Sequence, residues 1–241
     1  MKGVILGICP DARIVDITHE CHAYDIQEAA FAVGQAYRYF PPKTAHVVVV
    51  DPGVGTQRRA ILVEAGGQFF VGPDNGVFAF VLAGEKHKVR AVSNTKYFLD
   101  PVSQTFHGRD VFAPVGAHLA CGVAPARMGK LIDNYLRPGS LKPERTARRG
   151  WTGLILKVDR FGNLITNFSA AEFPRAVEGP FEMAVGLQKI GRIARHYEQF
   201  GPGEPFVIVG SSGYLEISAG QTSAAKLLGV VAGAPVELTI F

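Results

Sequence analysis

The sequence is poor in the features that mark several large protein classes. It has three cysteines, Cys9, Cys21 and Cys121, widely spaced and without a C-x-x-C pair. An odd, scattered set of this kind fits a thiol-reducing cytoplasm better than a disulfide-built scaffold. No stretch approaches the ~20 consecutive apolar residues of a membrane span, so no membrane partner is expected. The opening MKGVILGICPDA has too short an apolar run for a secretory signal, and Pro10-Asp11 interrupts it. No aromatic-interleaved basic stripe, zinc-finger spacing or RNP-like motif is present, which argues against a nucleic-acid partner. The net charge of +4 comes partly from one run, Lys142 to Arg149 (KPERTARR), which reads as a solvated linker.

Familiar catalytic signatures are missing too. Gly53 and Gly55 are not followed by the Gly-Lys-Ser/Thr of a phosphate-binding loop. Gly210-Ser-Ser-Gly213 has the wrong spacing for a G-x-S-x-G nucleophile. His19-Glu-Cys-His22 matches neither HExxH nor a paired Cys/His zinc pattern, so no metal is expected.

What remains is a globular chain of 241 residues, 47% hydrophobic and 19% charged, large enough for a substantial core. Its first part alternates strand and helix signals. Ile14 to Ile17 is a short strand candidate. Tyr24 to Tyr39 has helical spacing, with Asp25 and Glu28 as a capping box and Pro41-Pro42 as the stop. Ala45 to Val50 is apolar on both faces, as expected of a central covered strand. Ala60 to Glu64 and Gln68 to Val71 form strands joined at Gly66-Gly67, and Asp110 to Gly122 is helix-like. From Trp151 onwards, short strand-like runs are separated by turns, with Thr222 to Leu228 as the one helical stretch. The predicted organisation is an α/β domain over 1–138, layered with a mostly parallel sheet and flanking helices. A linker over 139–150 and a small all-β barrel over 151–241 follow.

Four motifs stand out as chemistry-bearing. In VVVVDPGVGTQRR a buried strand ends in Asp51, and the glycine-containing loop after it allows Arg58 to fold back. Ligands in α/β sheets sit at such carboxyl ends, although a turn-capping Asp paired with an exposed Arg is the plain alternative. Ser103 to Asp110 (SQTFHGRD) places Phe106, His107 and Gly108 ahead of a helix. Gly72-Pro-Asp-Asn75-Gly76 is strong turn chemistry, or a substrate-lining loop. Asp159-Arg-Phe161-Gly-Asn163 offers a flat apolar ring and an amide suited to a heterocycle, or simply a polar-rimmed turn.

With these motifs assembled, the chain resembles the S-adenosyl-L-methionine hydroxide adenosyltransferase family, relatives of fluorinating and chlorinating enzymes that act on the same substrate. The matching stretches are MKGVIL, IVDITHE, YFPPKTAHVVVVDPGVGTQRRAI, FVGPDNGVF, TFHGRDVFAPVGAHLA, VDRFGNLITNF and GSSGYLEIS, in the family's order through nearly the whole chain. The resemblance implies an α/β domain followed by a β-barrel. It implies a homotrimer whose active sites lie between the N-domain of one subunit and the C-domain of the next. The implied reaction needs no cofactor: S-adenosyl-L-methionine and water give adenosine and L-methionine. The family's Asp-Arg-His set falls on Asp51, Arg58 and His107. Base- and methionine-facing positions fall on or near Phe161, Asn163, Ser211 and Ser212; Asp159, Asn75, Phe106 and Gly108 join them as substrate-binding candidates. Halogenating relatives carry a tyrosine at the Asp51 position, so the resemblance favours water over halide as nucleophile. A halogenase, and an S-adenosyl-L-methionine- or adenosine-binding protein with little turnover, are the alternatives. The resemblance also implies a first strand ahead of the position matching Met1, with an Asp-Phe-Gly-like motif whose carboxylate holds the ribose hydroxyls. Restoring such upstream residues is then expected to strengthen adenosine binding, and equal dissociation constants would contradict it.

Overall fold

A computed structural model describes residues 1–137 and 142–241. Residues 138–141, where the expected linker begins, lie outside the described residues. The chain divides into two compact units, Met1–Gly139 and Ser140–Phe241.

The first unit carries helices α1 (Lys2–Ile8), α2 (Ile26–Ala36), α3 (Ala79–Gly84) and α4 (Ala113–Ala120). Its strands are β1 (Ala45–Val47), β2 (Ala60–Ala65), β3 (Gln68–Pro73), β4 (His87–Ala91) and β5 (Leu131–Ile132), in the spatial order β1-β3-β2-β4-β5. The sheet is mixed rather than mostly parallel: β1 runs parallel to β3, while the β2–β3, β2–β4 and β4–β5 ladders are antiparallel. β1 therefore stands at an edge, not at the centre. Both faces of the Ala45–Val50 segment are nevertheless covered, and His46, its one polar side chain, is buried against Gln68. Val48 and Val50 pack with α2 and α3 residues such as Val33, Phe78 and Val81, whereas Ala45 and Val47 pack with Val115 and Leu119 of α4. Beyond β1 the chain stays tied to the sheet, Val48 N–H donating to the Val71 carbonyl.

α2 begins where the sequence indicates, with the Asp25 carboxylate accepting from Glu28 N–H. The other half of the capping box is diverted, since the Glu28 side chain holds His22 instead. No strand forms at Ile14–Ile17, because no sheet neighbour lies beside it; Asp16 pairs with Lys2 and His19. The thiol expectation is also corrected. Cys9, just after α1, and Cys121, just after α4, form a disulfide across 112 residues of chain, with Cα atoms 5.9 Å apart. Helix packing, which residue spacing does not reveal, brings the pair together. Among the described residues no helix is long and apolar enough to cross a membrane.

The second unit contains β6 (Glu144–Ala147), β7 (Gly150–Val158), β8 (Leu164–Ser169), α5 (Pro174–Glu178), β9 (Phe181–Val185), β10 (Gln188–Ile190), β11 (Ile193–Ala194), β12 (Pro205–Val209), β13 (Tyr214–Ala219), α6 (Ala224–Leu228) and β14 (Pro235–Ile240). Part of the expected linker is thus a strand, β6, paired with β7. The sheet runs β10-β9-β14-β7-β8-β13-β12-β11 and is antiparallel except for β11–β12. It curls as a half-barrel around one core that includes Ile155, Phe168, Met183, Ile217 and Leu238.

Candidate active site

The end of the β1 segment, the loop after it and the head of α4 form one polar cluster in the first unit. Arg58 returns over the loop and donates from Nε to Asp51 Oδ1 at 3.0 Å and from Nη2 to Asp51 Oδ2. The same Nη2 lies 2.8 Å from His107 Nδ1. Arginine only donates, so His107 Nδ1 accepts, and the neutral ring carries its proton on Nε2. The side chains of Asp51 and Arg58 are only 5% and 10% exposed, so this is a buried bidentate pair rather than a surface ion pair. The Arg58 guanidinium also lies 5.1 Å from the Phe112 ring centre.

Two local features make the cluster possible. Gly55 has φ +79°, and a Cβ there would come within 2.7 Å of the Gln104 carbonyl oxygen. Only glycine lets the 51–58 loop sit against the 103–107 loop, which carries His107 towards Arg58. Below it, Asn75 Nδ2 donates to the Val50 carbonyl at 2.9 Å, and Asn75 Oδ1 accepts from Val77 N–H. Asn75 therefore anchors the backbone directly before Asp51. Its neighbour Asp74 is bound by Arg59 and by Leu136 N–H.

His107 leads into a single π turn, Gly108–Phe112, which runs on into α4; such turns recur at functional sites. Burial, and after it the Arg58 guanidinium, hold the imidazole below its usual range, against the opposing pull of Asp51 and Asp110. The ring is therefore neutral at neutral pH. Asp110 is buried, accepts from Ser103 N–H at 2.8 Å and is bound by Arg109, which lies over the Phe106 ring. Phe106 itself is exposed, and Gly108 faces Val49 and the Met1 thioether.

In the second unit the β7–β8 turn is built on Asp159. Its carboxylate accepts from the N–H groups of Phe161 and Asn163 and from Asn163 Nδ2, at 2.8–2.9 Å. Phe161 is left 73% exposed, so its ring presents a free face, while Asn163 is buried. Ser211 and Ser212 lie in the β12–β13 turn, and the Ser212 hydroxyl is buried without a partner. Sequence reasoning missed Glu216 of β13, a buried carboxylate acted on by Asp159 and Tyr197. The available signal was an acidic residue in the middle of a largely apolar strand. His19 and His22 pair with Asp16 and Glu28 respectively, and no group of three potential metal ligands occurs among the described residues.

Both halves of the chain match known families. Residues 1–129 match the model described as SAM hydroxide adenosyltransferase N-terminal domain, and residues 153–237 match its C-terminal domain. A protein of Salinispora tropica named (R)-S-adenosyl-L-methionine hydrolase is 37% identical over 247 residues, spanning 98% of this chain and 90% of that protein. One of the same name from Methanocaldococcus jannaschii is 35% identical, spanning 95% and 86%. A fluorinase of an Actinoplanes species is 26% identical, spanning 99% and 91%. The crystal structure of an uncharacterized conserved protein from Thermotoga maritima superimposes with a TM-score of 0.89 at 36% identity, covering 99% of this chain and 93% of that one.

Proposed function

The chain belongs to the SAM hydroxide adenosyltransferase family, and from that premise we propose that it hydrolyses S-adenosyl-L-methionine to adenosine and L-methionine. The observation that carries the reading is the Asp51–Arg58–His107 cluster, with one guanidinium bridging a carboxylate and a neutral imidazole. In the reaction a water oxygen bonds to the ribose C5′ while the C5′–S bond breaks. Both electrons of that bond pass to sulfur, and methionine leaves as a neutral thioether that needs no acid. The difficulty lies with the nucleophile, because free water has a pKa of about 15.7.

The three residues divide the work of activating that water. Arg58 supplies a fixed positive charge that favours hydroxide character. His107 has its Nδ1 occupied by Arg58, so it offers Nε2–H to the water oxygen and orients it. Asp51 is left as the proton acceptor, since each of its oxygens keeps lone-pair capacity beyond the Arg58 bonds. Phe161, Asn163, Asp159, Ser211 and Ser212 are read as the adenine- and methionine-facing residues, and the working assembly as a homotrimer. Asp51, where halogenating relatives carry a tyrosine, favours water as nucleophile.

Incubation with S-adenosyl-L-methionine followed by chromatography tests the proposal. Equimolar adenosine and methionine, abolished by Asp51→Ala, are expected. A product that changes with added chloride or fluoride, or no product, contradicts it.

A further inference from the structure

Asn75 anchors the backbone before Asp51, but the support of His107 lies elsewhere. Among the described residues Arg58 is the one hydrogen-bond partner of the His107 ring, so the ring stands where its backbone puts it. That backbone belongs to a loop with little core of its own. Val102 and Phe106 are 39% and 59% exposed, and Gln104 and Thr105 are exposed as well. A loop with few buried apolar contacts opens at little cost unless polar bonds close it.

Asp110 closes this one. It follows His107 by three residues, lies within the π turn Gly108–Phe112 and is 1% exposed. Its Oδ2 accepts from Ser103 N–H at 2.8 Å, where the loop starts. Its own N–H and that of Arg109 donate to the Phe106 carbonyl at 3.0 Å, where the loop ends. Its carbonyl accepts from Leu99 N–H, ahead of the loop. One residue therefore gathers three points of the 99–107 segment. Between them Gln104 carries the carbonyl that lies against Gly55. Arg109 binds both carboxylate oxygens, at 2.6 and 3.0 Å. Arg109, with the Ser103 N–H and the nearby His107, keeps the Asp110 carboxyl below its usual range against the effect of burial. Asp110 is therefore ionised at neutral pH, and a charged acceptor holds a backbone N–H more strongly than a neutral one.

We propose that Asp110 is a positioning residue: by closing the 103–107 loop it sets His107 Nδ1 against the Arg58 guanidinium. It acts through His107 and not on the substrate. Its weight in turnover rests on the hydrolase reading; its hold on the ring does not. The groups acting on the His107 ring make the two reasons for an effect separable. Burial and Arg58 lower the pKa of the ring, while Asp51 and Asp110 raise it. Releasing the loop takes the ring away from Arg58 and into solvent, which raises its pKa. Removing the Asp110 charge alone lowers it.

The test follows the His107 titration by NMR in two variants of the full chain, the ring signal being assigned by its loss in His107→Gln. Asp110→Asn has no charge, but its amide oxygen still accepts from Ser103 N–H, and the half-exposed Arg109 side chain is free to turn to solvent. Its His107 inflection is expected at lower pH than in the unsubstituted protein. Asp110→Ala has neither charge nor clasp, and its inflection is expected at higher pH. Shifts of the same sign in the two variants, or no shift in Asp110→Ala, overturn the proposal. Amide hydrogen exchange in the unsubstituted protein gives a second measurement that needs no variant to fold. Ser103 N–H should exchange about tenfold or more slowly than that of its exposed neighbour Gln104; equal protection overturns the proposal. In turnover Asp110→Ala should lose about 10²-fold, the order that a misplacement of about 1 Å costs, and Asp110→Asn should keep more of it; equal losses overturn the proposal. Failure of the hydrolase reading shows separately, as absence of adenosine from the unsubstituted protein, while titration and exchange still report on Asp110.

Discussion

Arg58→Ala is the perturbation that discriminates most sharply. In the folded protein Arg58 makes two bonds to a carboxylate that is 5% exposed and one to His107. Its removal leaves Asp51 buried without its cation and His107 Nδ1 without its donor. Breaking a buried pair from one side costs about 3–5 kcal/mol, so the urea midpoint should fall well outside measurement error. Two independent readouts follow. Turnover should drop by about 10²-fold or more, since both the fixed charge and the imidazole orientation are lost. The His107 pKa, followed by NMR titration, should rise: burial still lowers it, but the Arg58 contribution is gone while Asp51 and Asp110 still raise it. Arg58→Lys retains a charge but not the planar fork that spans Asp51 and His107, and should recover part of the stability and little of the turnover. An Arg58→Ala protein with unchanged midpoint and unchanged His107 titration refutes the bridging role.

Other expectations follow from the same geometry. Gly55→Ala forces a side chain into a left-handed backbone position facing the Gln104 carbonyl. It should cost about 1–3 kcal/mol and lower kcat with it, as measured by melting and initial rates. Because His107 works as the neutral ring and its pKa is lowered, kcat should be flat around pH 7 and fall only as pH drops through that lowered value. The same group contributes to acid destabilisation, since the unfolded chain takes up the proton more readily; a pH–rate profile and a pH series of urea melts check both. Opening the Cys9–Cys121 disulfide by Cys121→Ser should cost about 2–4 kcal/mol. Dithiothreitol should mimic this in the native protein and have no effect on the variant.

Much of the fold was legible because local chemistry set it. The Asp25 cap and the Gly66-Gly67 hairpin both follow from residue types at fixed offsets. The position of β1 was not legible: two covered faces make a strand largely apolar whether it lies at a sheet's centre or its edge. Cys9 and Cys121 meet only through helix packing across 112 residues. In the candidate site, the motifs indicated Asp51, Arg58 and His107 but not how they divide their bonds. Asn75 reads in sequence as a turn or a substrate contact, and the structure commits its amide to the backbone at Val50 and Val77. Glu216 escaped notice because what sets it apart is burial near Asp159, a property of the packed strand rather than of the motif.

The most direct measurement is isotopic. The chain is incubated with S-adenosyl-L-methionine in ¹⁸O-enriched water, and the adenosine formed is analysed by mass spectrometry. Attack of water at C5′ predicts one ¹⁸O in the 5′-hydroxyl of every adenosine, with an equal amount of unlabelled methionine and no dependence on halide. Adenosine without the label, a 5′-halogenated nucleoside in its place, or unconsumed substrate would contradict the account.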